Sequence, residues 1–123
     1  MSKSDWQVTD ADFPPTLSDR FVHIVSAVNV IDEWLQGLSQ QQLADDRTLR
    51  LASERLLEII SVATDHIPAD LKEAEVAVDW QTLANVGRSL ENACDRIDPE
   101  VLWDVARHKF PPLKTFAQRY FGA

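Results

Sequence analysis

From Phe21 to Tyr120, apolar side chains return every third or fourth residue, and little in the sequence breaks that rhythm. A repeat near 3.6 residues buries one face of an α-helix, whereas a strand buries alternate residues. Three glycines and six prolines occur in 123 residues, so the rhythm has few interruptions. After "FPPTLSD", Phe21, Ile24, Val25, Val28, Ile31 and Leu35 share one face of a first helix, and Gly37 is placed to end it. A second helix runs from about Asp46 to His66 on Leu49, Ala52, Leu56, Ile59, Ile60 and Ala63, with Pro68 closing it. A third runs from Trp80 to about Cys94 and buries Leu83, Val86 and Leu90. A fourth runs from Pro99 through Trp103 and Val105; Pro111 and Pro112 predict a kink or break before "LKTFAQRYF" resumes helically. An all-α, up-and-down four-helix bundle with a kinked C-terminal helix buries four such stripes with short links.

Local signals mark where the helices begin. Ser39 can cap a short turn in "LSQQQLADD", and "PADLKEAEVAVD" reads as a connection with one helical turn. Asp79 is placed to cap the third helix, and Asp98, Pro99 and Glu100 make a second start of cap, proline and first-turn acid. Between these starts lies a polar run, "NVGRSLENACDRI", holding a glycine-arginine pair and the chain's one cysteine. Residues 1–15 read as a loosely ordered arm with Trp6 and Phe13 as docking side chains, and residues 16–123 as one helical domain.

A net charge of -8 repels phosphate backbones, so general nucleic-acid binding is not expected. The exception to weigh is "ARHKFPPLKTFAQRYF", where Arg107, His108, Lys109, Lys114 and Arg119 alternate with aromatics. Cations near helix C-termini give a solvated basic face, and that reading outweighs a nucleic-acid patch. The acidic N-terminal stretch has no apolar run of a secretion signal, no segment has the length of apolar residues that a membrane span needs, and the single Cys94 cannot form an internal disulfide. These features predict a cytoplasmic protein with no membrane association.

The inventory of reactive groups is short. His23, His66 and His108 lie on different elements without the spacing of a helical metal site, so no metal and no cofactor is expected. His23, beside the first stripe, reads as a partly buried histidine bonded to a nearby carbonyl. Acid pairs such as Asp32 with Glu33 and Asp45 with Asp46 point apart on a helix. Arg88 and Arg96 could activate the Cys94 thiol, but a small packed residue at a helix end is the favoured reading.

Several pieces in order, from Leu17 to about Tyr120, resemble the HepT-like branch of the HEPN superfamily. "DRFVHIVSAVNVIDEWLQGLS" is similar to the family's first helix, "RLASERLLEIISVATDHIP" to its second, "DWQTLANVG" to the start of its third, and "IDPEVLWDVARHKFPPLK" to its last. The resemblance implies a helical domain that dimerises. It also implies metal-independent ribonuclease chemistry, and in toxin-antitoxin pairs a minimal nucleotidyltransferase partner that modifies a tyrosine. The family signature is Arg, usually Asn, three residues, His, one residue, Tyr. Aligned without gaps between Trp80 and the Ile97-Asp98 pair, it falls on Gly87, Arg88, Asn92 and Cys94. Shifting it by one residue recovers Arg88 as the arginine but places Ala93 and Asp95 at the histidine and tyrosine. Neither register supplies a histidine.

Metal-free RNA cleavage needs a base for the 2′-hydroxyl proton and a cation for the charge growing on the phosphate. Asn92 does not titrate near neutral pH and Gly87 carries no charge. General acid-base help alone is worth about 10²–10⁴-fold, so the expected catalytic set is empty. Arg88, Asn92 and Arg96 remain as RNA- or nucleotide-binding candidates, and Gly87 as a place where backbones approach closely. Three readings stay open: a degenerate, homodimeric binding module, paired with a nucleotidyltransferase-type partner; an active ribonuclease toxin using Arg88 and an unrecognised base; and an unrelated helical module contacting partners through Trp6 and Trp34.

Overall fold

The long helices each begin on a side chain that satisfies their first amides. In the computed structural model, which describes residues 15–91 and 97–121, Thr16 and Asp19 form a reciprocal capping box at the head of α1 (Leu17–Leu35). Ser39 and Gln42 form another at the short α2 (Gln40–Asp45), and Asp46 accepts the Leu49 amide at 3.0 Å to open α3 (Arg47–Asp65). After the single turn of α4 (Ala69–Glu73), Asp79 caps α5 (Trp80–Glu91) by accepting the Thr82 amide at 3.1 Å and its hydroxyl at 2.7 Å. Asp98 accepts the Glu100 amide at 2.8 Å and opens α6 (Pro99–Asp104). Gly37, at φ 78°, turns the chain out of α1 as expected of a residue without a Cβ.

The proline pair of the C-terminal rod does not break it. A π-helical turn at Val105–Lys109 joins α6 to α7 (Phe110–Phe121), and α7 contains both Pro111 and Pro112 near its start. Pro111 has no N–H for the carbonyl four residues back, and its ring presses on that carbonyl in a regular α-turn. A wider π turn just upstream gives that ring room. The departure from α geometry therefore lies upstream of the prolines.

Cross-contacts fix the directions. The start of α1 meets the end of α7, where Phe21 packs on Phe116 at 5.9 Å and stacks on Tyr120 at 5.5 Å between ring centres. The first residue of α5, Trp80, sets its ring edge-on to Phe116 at 5.1 Å, while the later turns of α5 face Ile97 and Val101. Trp34 at the end of α1 lies beside Leu49 at the start of α3, and Ala27 lies beside Leu56 and Ile59. Consecutive long helices are thus antiparallel, and the chain is an all-α up-and-down bundle without a strand among the described residues. Its centre holds Ile24, Val28, Ile31, Leu57, Leu83, Leu102, Phe110 and Phe116.

One stripe is turned from where its pattern points. On α3 the buried line includes Ser53, Glu54, Leu57, Ile60, Ser61 and Thr64, whereas Leu49, Leu56 and Ile59 are only partly buried at the core's margin. Small and polar side chains lie inside because neighbouring helices come close there: the Thr64 hydroxyl donates to the Ser61 carbonyl at 2.8 Å, and Ser61 donates toward the Leu83 carbonyl at 3.5 Å. No helix among the described residues is long and apolar enough to cross a membrane.

Asp79 also joins α5 to the C-terminal rod through a 3.1 Å ion pair with Lys109. The hydrogen bonds from the Thr82 hydroxyl and amide, then the Lys109 ammonium, hold its carboxyl below the usual range. A carboxyl that titrates lower folded than unfolded contributes fully above its unfolded value near about 3.9, and loses that contribution as pH falls through the folded value. Asp79→Ala is expected to cost about 1 kcal/mol at pH 7, typical of a lost N-cap. In urea unfolding of both proteins from pH 7 to pH 3, the charge-dependent part of the gap should close below about pH 4.

Candidate functional site

The polar run between the two helix starts begins on the last turns of α5, which the Asp79 cap and Trp80 hold at the other end. The indole N–H of Trp80 donates to the Lys72 carbonyl at 3.0 Å and the Glu75 carbonyl at 3.2 Å, and the Lys72 ammonium lies 5.7 Å above its ring. Arg119 reaches Glu75 at 2.6 Å, so the connection ahead of α5 is fastened to α7 as well. α5 is therefore a fixed rod, and its distal turns carry Gly87 and Arg88. Asn92, Cys94 and Arg96 lie outside the described residues.

Gly87 is buried against α3. A Cβ at this position would stand 1.7 Å from the Ser61 hydroxyl oxygen and 2.8 Å from the Ser61 Cβ. Turning the serine rotamer relieves the first contact but not the second, which is fixed by the two backbones. The close approach that its glycine suggested is thus made inside the chain.

Arg88, one position on, is exposed, and its guanidinium donates to the side-chain oxygen of Asn85 on the preceding turn. That oxygen also accepts from Gln81 at 3.0 Å. The arginine is laid back along its own helix, with its charge free for an anion but turned from the α3 seam.

Two clefts flank these turns. One, of about 190 Å³, lies between α5 and α6 and is lined by Asn85, Val86, Ser89, Ile97, Asp98 and Val101. The other, of about 260 Å³, lies between α3 and α5 and is lined by Glu58, Ser61, Val62, Gly87 and Leu90. The one carboxylate in each is already engaged, since Asp98 caps α6 and Glu58 pairs with Arg55 at 2.5 Å. No histidine lines either cleft. His23 is exposed on α1 rather than partly buried against a carbonyl, because the stripe it borders is itself open; His66 is the histidine that meets a carbonyl, that of Val62 at 2.8 Å. Among the described residues no group of three or more potential ligands could hold a metal ion. Among those same residues, nothing beside Gly87 and Arg88 is arranged to accept a proton from a ribose hydroxyl.

The basic C-terminal residues are largely engaged. Lys109 pairs with Asp79, His108 with Asp104 at 3.0 Å, and the Arg107 guanidinium lies 4.9 Å from the Trp103 ring centre. Cations held by local partners fit the solvated basic face better than a phosphate track.

The sequence model of the family described as Ribonuclease HepT-like matches residues 24–120, from within α1 to the last turn of α7, and includes the run between α5 and α6. The chain belongs to the HepT-like family. It is similar to a probable ribonuclease HepT of Thermococcus cleftensis, 29% identical over 96 residues that cover 78% of this chain and 87% of the relative. A putative RNase of Caldanaerobacter subterraneus is 25% identical, covering 75% of this chain and 82% of the relative. A gamma-glutamylcyclotransferase and putative RNase of Methanocaldococcus jannaschii is 24% identical, covering 75% of this chain and 41% of the relative. No solved structure gives a significant match. Within this HepT-like chain, Ser61 is the residue of the α5 neighbourhood that sequence reasoning missed; a serine in an apolar helix carries no signal of the glycine it faces.

Gly87→Ala is a direct check of that seam. In an open helix this change stabilises by roughly 1 kcal/mol. Here the added methyl meets Ser61, and the expected result is the opposite sign, a loss of about 1–3 kcal/mol by denaturant unfolding. Adding Ser61→Gly should recover part of that loss. A stabilised Gly87→Ala protein would show that α3 and α5 are further apart.

Proposed function

We propose that this HepT-like domain is catalytically degenerate and works by binding, as a homodimer and with a protein partner of the nucleotidyltransferase type. The observation that carries this reading is Gly87: it stands at the family's arginine position in the ungapped register and is packed so closely on Ser61 that no side chain fits there. Asn92 at the histidine position adds the second loss, since an amide cannot take the 2′-hydroxyl proton. With base and cation both missing, the remaining polar groups favour holding a phosphate or nucleotide over cutting one. Arg88, Asn92 and Arg96 are the residues for that role. Cys94 at the tyrosine position takes away the hydroxyl that a nucleotidyltransferase would modify, so pairing would act through contact.

The ribonuclease names of the relatives favour a second reading, an active metal-independent ribonuclease built on Arg88. Its cation is exposed beside the α5–α6 cleft, and its base would have to come from outside the signature positions. RNA cleavage by the purified protein in a metal chelator separates the two. The expected outcome is no cleavage above background by either the parent protein or Arg88→Ala. Efficient cleavage that Arg88→Ala abolishes would establish the second reading. Putting the family residues back at positions 87, 88, 92 and 94 tests the cause of inactivity only alongside Ser61→Gly, since an arginine at 87 otherwise starts inside the α3–α5 seam.

For assembly, the apolar face of α5 is not available to a second copy, because Leu83 and Val86 are spent in the chain's own core. Apolar surface near the signature turns is supplied by Val62 on α3 and Val101 on α6, each 43% exposed and on opposite sides of α5. A dimer formed there has light-scattering mass near twice the 13.9 kDa chain at micromolar concentration, and Val62→Glu should return it to a monomer. A parent protein of single-chain mass would remove this part of the proposal.

A further inference from the structure

The half-open stripe of α3 forms one wall of a groove away from the signature turns. Beside it, α1 presents His23, Ala27, Val30 and Trp34 at heptad-like spacing, facing Leu49, Ala52, Leu56 and Ile59. Two clefts lie along this groove, about 260 Å³ near Ala27 and about 330 Å³ near Trp34. The first is almost entirely apolar apart from His23 and Ser26 at its edge. A paired stripe of this length is built to be covered.

We propose that residues 6–13 of this chain fold back along the α1–α3 groove and cover it, with Phe13 near its head and Trp6 toward Trp34. Three observations support that occupant. The first is reach. Trp34 lies eighteen residues along α1 from Thr16, about 27 Å of helix. Trp6 precedes Thr16 by ten residues, up to about 33 Å of extended chain, so the arm spans the groove with length left for a reversal. Pro14 and Pro15 favour an extended backbone next to that reversal, and Thr16 itself is extended at φ −81° and ψ 170°.

The second is charge. His23 lines the head of the groove and Arg20 lies one turn before it on α1, neither in an ion pair among the described residues. Directly before Phe13 the arm carries Asp10 and Asp12, which a reversed arm brings to the Arg20 guanidinium. The third is the side-chain pattern. Trp6, Val8 and Phe13 are apolar residues in an otherwise polar segment, and two of them are aromatic, the type that buries most surface per residue.

The test uses the full chain with Cys94→Ser and a nitroxide label on Ser26→Cys, at the groove's edge. In uniformly ¹⁵N-labelled protein, the amide signals of residues 6–13 should be lost to paramagnetic broadening, and should return when Trp6→Ala and Phe13→Ala are added. Mixing spin-labelled, unenriched chain with ¹⁵N-labelled, unmodified chain tells which molecule supplies the cover. No broadening of the enriched arm in the mixture is expected. Arm signals that persist in the first sample overturn the proposal. Broadening of Val30 and Leu56 amides in the mixture also overturns it, and assigns the groove to a second copy. Broadening of the arm in the mixture means that it covers a neighbour's groove, which rejects a fold-back within one chain. None of these outcomes depends on whether the protein cuts RNA.

Discussion

The close approach of α5 to α3 at Gly87 and Ser61 governs much of what surrounds it. α3 packs on α1 and α5 and touches both short helices α2 and α6, so its rotation about its own axis sets where every neighbour sits. Small groups at the α5 seam let that helix come in until backbones limit the distance, and the rotation that puts Ser61 inside leaves Leu49, Leu56 and Ile59 toward the rim. Dense packing on one side of α3 is thereby linked to an open apolar groove on the other. The same seam leaves no room for a side chain at position 87.

Fastening at the far end of α5 completes the frame. Trp80 is held by two carbonyls, a lysine and the edge of Phe116, and Asp79 is shared between the α5 cap and Lys109. These contacts join the α4–α5 connection to the C-terminal rod, at the buried Phe116 and at the surface pair of Asp79 with Lys109. An aromatic anchor with a satisfied N–H gives orientation as well as burial. The distal turns of α5 consequently project from a stiff support, which is what a recognition surface needs whether or not it carries chemistry.

The helices were legible because their information is local: the 3.6-residue period, the caps at Ser39, Asp79 and Asp98, and Gly37 each report on a few neighbouring residues. Ile60 and Ala63 are buried as their pattern predicts, but the rotation of α3 was not legible, since Ser53, Glu54, Ser61 and Thr64 join them inside while Leu49, Leu56 and Ile59 stay at the rim. Pro111 and Pro112 announced a disturbance, but the π turn that absorbs it falls at Val105–Lys109, where no residue is unusual by type. Of the site, positions 87, 88, 92 and 94 are the ones the resemblance singles out, and Gly87 and Arg88 are those among the described residues. The reason Gly87 matters was not, because it depends on Ser61, twenty-six positions away on another helix.

An arginine at position 87 and this seam exclude one another. A guanidinium must keep its charge hydrated or paired, and burial against a serine hydroxyl and helix backbone offers it neither. With glycine at this position, Ser61 on α3 comes to a distance that a side chain would hold open. The positive charge of these turns is on Arg88, one residue along, which on a helix is turned by about a hundred degrees. From there it addresses the α5–α6 side and not the α3–α5 cleft. A cation at position 87 therefore requires reopening the packing between two helices, and on the binding role proposed above that coupling would keep the seam closed.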